Sequence, residues 1–406
     1  GKSTITAAVE FVESIIDSID RHEEVIGISM DLSKAFDRVC HGTLINKIKY
    51  FGIREPILSW FHSYIFERKQ FVEIIHVKSD WLVKTRSEIK SCNFGIPQGS
   101  ILGPLLFLCY INEIPNILTH VPCDNMFLYA DDMNLKISGK LAEDIEINSF
   151  FDLANHKQIL TSYNFQFNLD KTNFTSFTTR QNRTKIEPVI QMGTDELRQV
   201  EESEFLGMKI DKHLSWQSHV NHVCSKINSG LFALNKMSFV CNRKTLITIY
   251  FAFVHSHIEY GISLYGATST KNLNNILVLQ KRALRIILRL QRDESVKNHF
   301  VELKILTVFG LYIFHTVLLA RENNSNSNDI RPCRYNTRGG ARLESIGRHL
   351  SIFDKKPNQA GKKFLRMLPK NITSITSNSG LKKELKTYLI GIAPYSFEEG
   401  FPSSAY

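Results

Sequence analysis

Met126-Phe127-Leu128-Tyr129-Ala130-Asp131-Asp132-Met133-Asn134-Leu135 is the stretch that decides how this chain is read. Apolar runs on both sides predict two strands, and Tyr-Ala-Asp-Asp between them predicts the turn of a β-hairpin. A buried hairpin has no structural use for two adjacent carboxylates at its tip. Burying even one charge without a partner is costly, so a counter-charge is expected. The natural partner of clustered aspartates is a hard divalent cation that takes oxygen ligands, magnesium first and manganese as the alternative. Taken alone, the tetrapeptide also reads as a plain Asp-rich turn.

A further carboxylate of the same kind lies upstream. Val25-Ile26-Gly27-Ile28-Ser29-Met30 predicts a buried strand that ends on Asp31. If that strand neighbours the hairpin, Asp31, Asp131 and Asp132 converge on one point. Three carboxylates there could hold two magnesium ions about 3.5–4 Å apart, the arrangement used for in-line phosphoryl transfer. One ion would activate an attacking 3′-oxygen, and both would stabilise charge on the phosphate and the leaving oxygen.

These residues do not stand alone. Asp31-Leu32-Ser33-Lys34-Ala35-Phe36-Asp37, Gly95-Ile96-Pro97-Gln98-Gly99-Ser100-Ile101-Leu102-Gly103-Pro104, Tyr129 to Asp132, Asn168-Leu169-Asp170-Lys171-Thr172 and Phe205-Leu206-Gly207 follow one another along the chain. In these motifs, and in their order, the chain resembles the reverse transcriptases of non-LTR retrotransposons, the jockey-like group in particular. The resemblance implies an α+β right-hand polymerase. Partial fingers and palm would occupy residues 1–212, a helical thumb 213–322, a polar linker 323–330 and a basic C-terminal segment 331–406. It implies an RNA-directed DNA polymerase that extends a DNA primer on an RNA template with deoxynucleoside triphosphates, by two-metal nucleotidyl transfer. Its place of action would be intracellular, cytoplasmic with access to the nucleus.

The same resemblance assigns roles, each with a plainer alternative. Asp31, Asp131 and Asp132 would be the catalytic metal ligands. Phe36 would stack under the sugar of the incoming nucleotide and exclude a 2′-hydroxyl; otherwise it is a core phenylalanine. Gly95 and Gly99 permit backbone conformations closed to other residues, and Gln98 offers a donor and an acceptor to a base or sugar edge. The alternative there is a strand-to-helix turn. Lys171 would balance the triphosphate or protonate the pyrophosphate, or is a surface lysine. Tyr129 would brace the hairpin and touch the primer end. Phe205, Leu206 and Gly207 would form a tight turn against the primer backbone, or a plain hairpin. Asp37 has no metal role and is expected to pair with Arg38 or to cap the next helix.

Composition sets the outer limits. At 406 residues the chain exceeds one ordinary core, so two or three subdomains are expected. A hydrophobic content of 43% with 22% charged residues describes a globular protein. No apolar run reaches the roughly 18 residues of a membrane span. Seven cysteines without a Cys-x-x-Cys pair argue against a zinc knuckle or a disulfide framework and fit a reducing interior. His219, His222 and Cys224 are close in sequence, but on a helix they point in different directions.

Charge is segregated. The chain carries +10, and residues 331–406 hold 14 Lys and Arg against five Asp and Glu, so +9 of it lies there. A basic segment is the electrostatic footprint of a nucleic-acid partner, or a solvated face.

Helical periodicity is predicted for Ser3 to Ile19, Leu44 to Phe51, Ile57 to Phe66, Ile101 to Glu113 and Ala142 to Tyr163. Phe71–Val77 and Trp81–Ile89 predict an antiparallel pair, and short strands are predicted near Phe165, Phe174 and Phe205. From Trp216 onward the pattern is helical: 216–238, 243–265, 271–291 and 301–321. Asn323 to Asp329 reads as a polar linker, and an amphipathic helix is predicted around Leu381 to Leu389.

Two other functions fit part of the sequence. Gly1-Lys2-Ser3-Thr4 copies the end of a P-loop, with Asp31 as its strand aspartate, which would make a nucleotide hydrolase. That reading leaves Asp131, Asp132 and the Gln98 turn unexplained. Because it starts at Gly1 and not at Met, the chain is expected to be a fragment of something longer, lacking the N-terminal fingers and upstream endonuclease of such elements. A decayed copy that only binds nucleic acid is therefore the second alternative. Oligomeric state, template and target choice are not legible in these residues.

Overall fold

The computed structural model describes residues 3–78, 80–114, 125–181, 188–326 and 350–401. The chain divides into two compact units, one of residues 26–174 and 186–200 and the other of residues 1–25, 175–185 and 201–406. This division does not fall at the expected boundary near 212. The first helix and the hairpin before that boundary fold with the helical C-terminal half.

The first unit is built on a mixed sheet whose strands lie in the order Arg198–Gln199, Asn173–Phe177, Glu24–Met30, Asp132–Gly139, Asn125–Tyr129. The predicted hairpin is present, antiparallel, with Leu128 opposite Met133 and Tyr129 opposite Asp132. The strand leading to Asp31 lies directly beside it. Ile26, Ile28, Leu135 and Ile137 are buried. Both faces of these central strands are covered, which is why they read as apolar runs and do not alternate. The helix Ala142–Ser162 packs on Asp132–Gly139.

The helix His41–Tyr50 buries His41, Leu44, Lys47 and Ile48, a stripe of helical spacing, and Gly52 ends it with φ +97°. Buried Lys47 is satisfied on every side. Its Nζ donates to the Tyr110 carbonyl at 2.7 Å, pairs with Glu113 at 3.1 Å and lies 4.3 Å from the Tyr163 ring centre. Those contacts fix the helix Gly103–Ile111, whose Leu106, Phe107 and Tyr110 enter the core. Each such side chain contributes about 1.5–3 kcal/mol on full burial. Glu73–Lys78 and Trp81–Arg86 form the predicted antiparallel pair. The strand expected near Phe165 is not formed; that segment makes an isolated bridge, Leu32 with Phe167.

In the second unit, Thr4–Asp20 is a helix capped by Ser3, whose hydroxyl accepts from the Thr6 N–H while Thr6 reaches back to the Ser3 N–H. Its buried Phe11 meets Phe177 and Phe205 edge-on, with ring centres 6.5 and 5.3 Å apart. Helices follow at Gln217–Met237, Arg243–Tyr250, Thr270–Leu288 and Val308–Asn326. The helix predicted over 243–265 is broken. After a π turn at Phe251–His255 and a short piece Ser256–Glu259, Tyr260 leaves helical geometry and Gly261 takes φ +70°. The predicted linker also starts too early, since the helix continues to Asn326; residues 327–330 lie outside the described residues.

Within the basic segment, residues 350–401 are folded into this unit. The helix Pro357–Met367 lies so close to Val308–Asn326 that a Cβ on Gly361 would stand 2.0 Å from the Thr316 carbonyl. Lys356 pairs with Asp17 at 2.6 Å, and Asn358 donates to Glu13. The helix Asn378–Ile392 buries Leu381, Leu385 and Leu389 at i, i+4 spacing, as its sequence predicts.

Candidate active site

The site begins at the end of the strand Glu24–Met30. The backbone of Asp31 to Ser33 is laced to residues 166–168: Asn168 N–H donates to the Asp31 carbonyl at 2.8 Å, and Ser33 N–H to the Gln166 carbonyl at 2.8 Å. This pairing brings Lys171 to Asp31, with Nζ 3.8 Å from the carboxylate. Two motifs separated by more than 130 residues thus become one local structure.

After Asp31 the chain turns through Lys34, at φ +51°, into a 3₁₀ turn Ala35–Arg38. The Gly95 to Gly99 segment docks on that turn. Gly95 N–H donates to the Val39 carbonyl at 2.8 Å and Ile96 N–H to the Phe36 carbonyl at 3.0 Å, while His41 Nε2 donates to the Gly95 carbonyl at 2.8 Å. Only glycine fits at 95, where φ is +85° and a Cβ would lie 2.8 Å from Asp37 Cα.

These segments enclose a cavity of about 750 Å³ lined by Asp31, Lys34, Phe36, Arg38, Gln98, Gly99, Asp131, Asn168 and Lys171, among others. Six of the eleven residues singled out in the sequence therefore meet in one place: Asp31, Asp131, Phe36, Gln98, Gly99 and Lys171. Phe36 stacks on Phe107, ring centres 4.4 Å apart at 16°, so it is half core and half cavity wall. Burial pushes the neighbouring Tyr110 phenol above its usual range, and it remains a donor, to the Tyr163 carbonyl at 2.9 Å.

The expected group of three carboxylates is gathered only in part. Asp131 lines the cavity from the hairpin tip, next to Ala130 at φ +52°. Asp132 opens the following strand, opposite Tyr129, and does not line the cavity. Asp131 belongs to the two-residue turn and Asp132 to the strand that follows it, so the two adjacent aspartates stand in different backbone settings. Nor are the two buried: the hairpin tip is exposed to solvent. Among the described residues, no three His, Cys, Asp or Glu side chains stand close enough to hold one metal ion. The chemistry of the pair Asp31 and Asp131 still fits magnesium, which takes one or two carboxylates and fills its remaining positions with water and phosphate oxygens.

Asp37 is not paired with Arg38 as expected. It accepts from Gln98 Nε2 at 3.0 Å, whereas Arg38 donates to Gln166 at 2.6 Å. Lys34, Arg38 and Asn168 also line the cavity; Lys34 and Asn168 lie within the quoted motifs without an assigned role, and Arg38 follows the first of them. Their signal in the sequence is weak, since isolated lysines and arginines are mostly surface residues. With Lys171, Lys34 and Arg38 place three cations around two carboxylates.

The remaining site residues lie elsewhere. Tyr129 is half-buried at the end of its strand. Phe205, Leu206 and Gly207 belong to the second unit, where Glu202–Phe205 and Met208–Asp211 form a hairpin. Phe205 is in the core, and Leu206 and Gly207 both take positive φ, +50° and +74°, the geometry of a two-residue type I′ turn. Tyr260 Oη donates to the Leu206 carbonyl at 2.6 Å and holds that turn.

Comparison with known proteins identifies what this arrangement is similar to. Residues 3–210 match the family described as "Reverse transcriptase (RNA-dependent DNA polymerase)". The RNA-directed DNA polymerase from the mobile element jockey of Drosophila melanogaster is 26% identical over 292 residues, 68% of this chain and 30% of that protein. The probable RNA-directed DNA polymerase from transposon BS of the same organism is 26% identical over 303 residues, 71% of this chain and 31% of that protein. This chain thus spans about a third of the length of the curated relatives it matches. Among solved structures, telomerase from Candida albicans in complex with a fragment of telomeric RNA aligns over 94% of this chain and 54% of its own. The identity is 13% and the TM-score 0.35, too low to bear on the site. Among the described residues, no helix is long and apolar enough to cross a membrane.

Proposed function

The chain belongs to the reverse transcriptase (RNA-dependent DNA polymerase) family, and from that premise we propose that it extends a DNA primer on an RNA template with deoxynucleoside triphosphates, as the polymerase of a non-LTR mobile element. The observation that carries the reading is the shared cavity. A carboxylate just after a strand and another at a hairpin tip, an aromatic wall, a glutamine turn and three cations line it together. Asp31 and Asp131 are the residues that would hold magnesium, which when bound activates the 3′-oxygen and stabilises charge on the transferred phosphate.

The chain's own residues do the rest. Lys34, Arg38 and Lys171 offset the charge of a triphosphate, Arg38 with a planar donor fork and the lysines as point charges. Lys171 lies at salt-bridge distance from Asp31, so it changes partner when phosphate oxygens arrive. Phe36, fixed by its stack on Phe107, presents a wall where a sugar would lie. Gly99 has nothing within 4 Å of the place a Cβ would take, leaving backbone open to a ligand. The Leu206–Gly207 turn would meet the primer backbone, and outward-facing lysines of the C-terminal segment would contact phosphates without reading sequence. Action in the cell, with access to the nucleus, follows from this reading.

The hydrolase alternative loses support at Ser3. Its hydroxyl caps the first helix, the ordinary use of serine at that position. Gly1 and Lys2 lie outside the described residues.

Primer extension on an RNA template is the test. Asp31→Asn and Asp131→Asn should each abolish extension with the fold retained, whereas Asp132→Asn should leave measurable activity. Extension that survives loss of both Asp31 and Asp131 carboxylates would refute the assignment. Nucleic-acid binding without extension by the unaltered chain would favour the decayed copy.

A further inference from the structure

We propose that Asp37 is a positioning residue that sets the orientation of the Gln98 carboxamide, and so fixes which hydrogen-bonding group the cavity presents to the incoming nucleotide. The inference rests on the polymerase reading above. Asp37 neither lines the cavity nor belongs to the carboxylate pair.

A glutamine amide has a donor end and an acceptor end of nearly the same shape, and left alone it can present either. An ionised aspartate removes that freedom because it only accepts. With Gln98 Nε2 donating to Asp37 Oδ1 at 3.0 Å, the nitrogen must face Asp37. Oε1 and the second N–H are then left for what enters the cavity, with their places no longer interchangeable.

The pair is also held at both ends by backbone. Asp37 sits in the 3₁₀ turn, its N–H donating to the Lys34 carbonyl at 2.9 Å. Gly95 lies against the Asp37 backbone so closely that no side chain would fit between. The backbone segments that carry the two residues are thus held against each other. A solvent-exposed ion pair or hydrogen bond contributes little to stability, so an exposed Asp37 has little structural reason to reach across 61 residues to Gln98. An orienting role gives it one.

The test is steady-state primer extension by the full chain, with KM for the deoxynucleotide and kcat measured separately. Asp37→Ala frees the amide to other rotamers as well as to the flip, so the competent fraction falls further and KM should rise more than in Asp37→Asn. Asp37→Asn still offers an acceptor but no longer forbids the flipped amide. It should raise KM only about twofold, as when half the population is competent. In both, kcat and the unfolding midpoint should stay close to the unaltered chain. Gln98→Ala should raise KM as much as Asp37→Ala does, and the double variant should add nothing further. An unchanged KM in Asp37→Ala overturns the proposal, as do additive effects in the double variant. So does a parallel fall in kcat and melting temperature, which would mark Asp37 as merely structural. If the unaltered chain extends no primer at all, the polymerase reading fails and this assignment falls with it. Extension with an indifferent Asp37 removes only the assignment.

Discussion

Gly95→Ala measures how tightly the Gln98 turn is docked on the turn after Asp31. Gly95 has φ +85°, and a Cβ there would lie 2.8 Å from Asp37 Cα and 2.9 Å from its carbonyl oxygen. Both are backbone atoms and cannot rotate away. The positive φ alone costs an L-residue about 1–2 kcal/mol, and forcing a methyl into a filled space adds about 1–3 kcal/mol. Unfolding free energy should therefore fall by about 2–5 kcal/mol. Two other glycines separate the contributions. Gly99 has φ +77° but nothing within 4 Å, so Gly99→Ala should lose only the backbone part, about 1–2 kcal/mol. Gly42 lies in a helix with nothing within 4 Å and without the left-handed φ, so Gly42→Ala should be neutral or stabilise by about 0.4–1 kcal/mol. Urea unfolding followed by far-ultraviolet circular dichroism reads the series, with thermal midpoints shifting about 2–4 °C per kcal/mol for a unit of this size. If Gly95→Ala is no worse than Gly99→Ala, the docking of the two segments is not as described, and the basis for the Asp37–Gln98 geometry goes with it.

Phe36→Val should admit ribonucleotides while deoxynucleotide incorporation stays measurable in the extension assay; equal discrimination before and after would leave Phe36 as a core residue stacked on Phe107. Burial lowers the His219 pKa to about 4, so the unfolded chain binds the extra proton between pH 6.5 and 4. Stability should thus be full above pH 6.5 and fall by about 3 kcal/mol as pH drops to 4. His219→Phe should flatten that part of the urea-midpoint profile; an unchanged profile would show that other groups cause the acid loss. Lys363, Arg366 and Lys370 are exposed on the C-terminal segment. Replacing all three by Gln should reduce the salt slope of RNA–DNA duplex binding by about 0.7–0.9 for each phosphate no longer neutralised, and an unchanged slope would return them to a solvated face. Substitution is the better test than removal of residues 331–406, because Phe364, Leu385 and Leu389 of that segment are in the core of the second unit.

Legible in the sequence are the features written in short range. Apolar runs that end abruptly on carboxylates mark strand ends, so the hairpin at Asp131 and the strand before Asp31 can be located without coordinates. Their adjacency in the sheet is a conjecture at that level, because strand order is a long-range property; it rests on three carboxylates needing one counter-ion. Asp132 is the carboxylate of the three that does not line the cavity. Whether a turn residue such as Asp131 and the first strand residue after it present their side chains to one point depends on the turn geometry, which the sequence does not specify. The division into units is hidden for a different reason. Whether the helix Thr4–Asp20 packs with residues before or after 212 depends on Phe11 finding Phe177 and Phe205, contacts more than 160 residues distant. The break after Glu259 is written in Gly261, but a single glycine in an apolar helical pattern is tolerated often enough to be passed over.

Strain at the site gives a physical reason for its shape. Lys34 and Ala130 take φ of +51° and +52°, although neither is glycine, and one lines the cavity while the other precedes Asp131. Each costs about 1–2 kcal/mol. Residues in such conformations persist only where their surroundings over-determine them. Here the surroundings are the backbone bonds of Ser33 to Gln166 and Asp37 to Lys34 on one side. On the other side stands the hairpin register that sets Tyr129 opposite Asp132. A glycine at either place would relieve the strain, yet it would let the chain on which Asp31 and Asp131 are carried move. Ten other non-glycine residues among those described, His22, Trp216 and Arg289 among them, also take positive φ, so the strain by itself does not mark the cavity. What sets Lys34 and Ala130 apart is their place beside Asp31 and Asp131: on the proposed polymerase reading, a backbone fixed there would hold the two carboxylates ready before a ligand arrives, because preorganised charge needs no rearrangement at the moment of reaction.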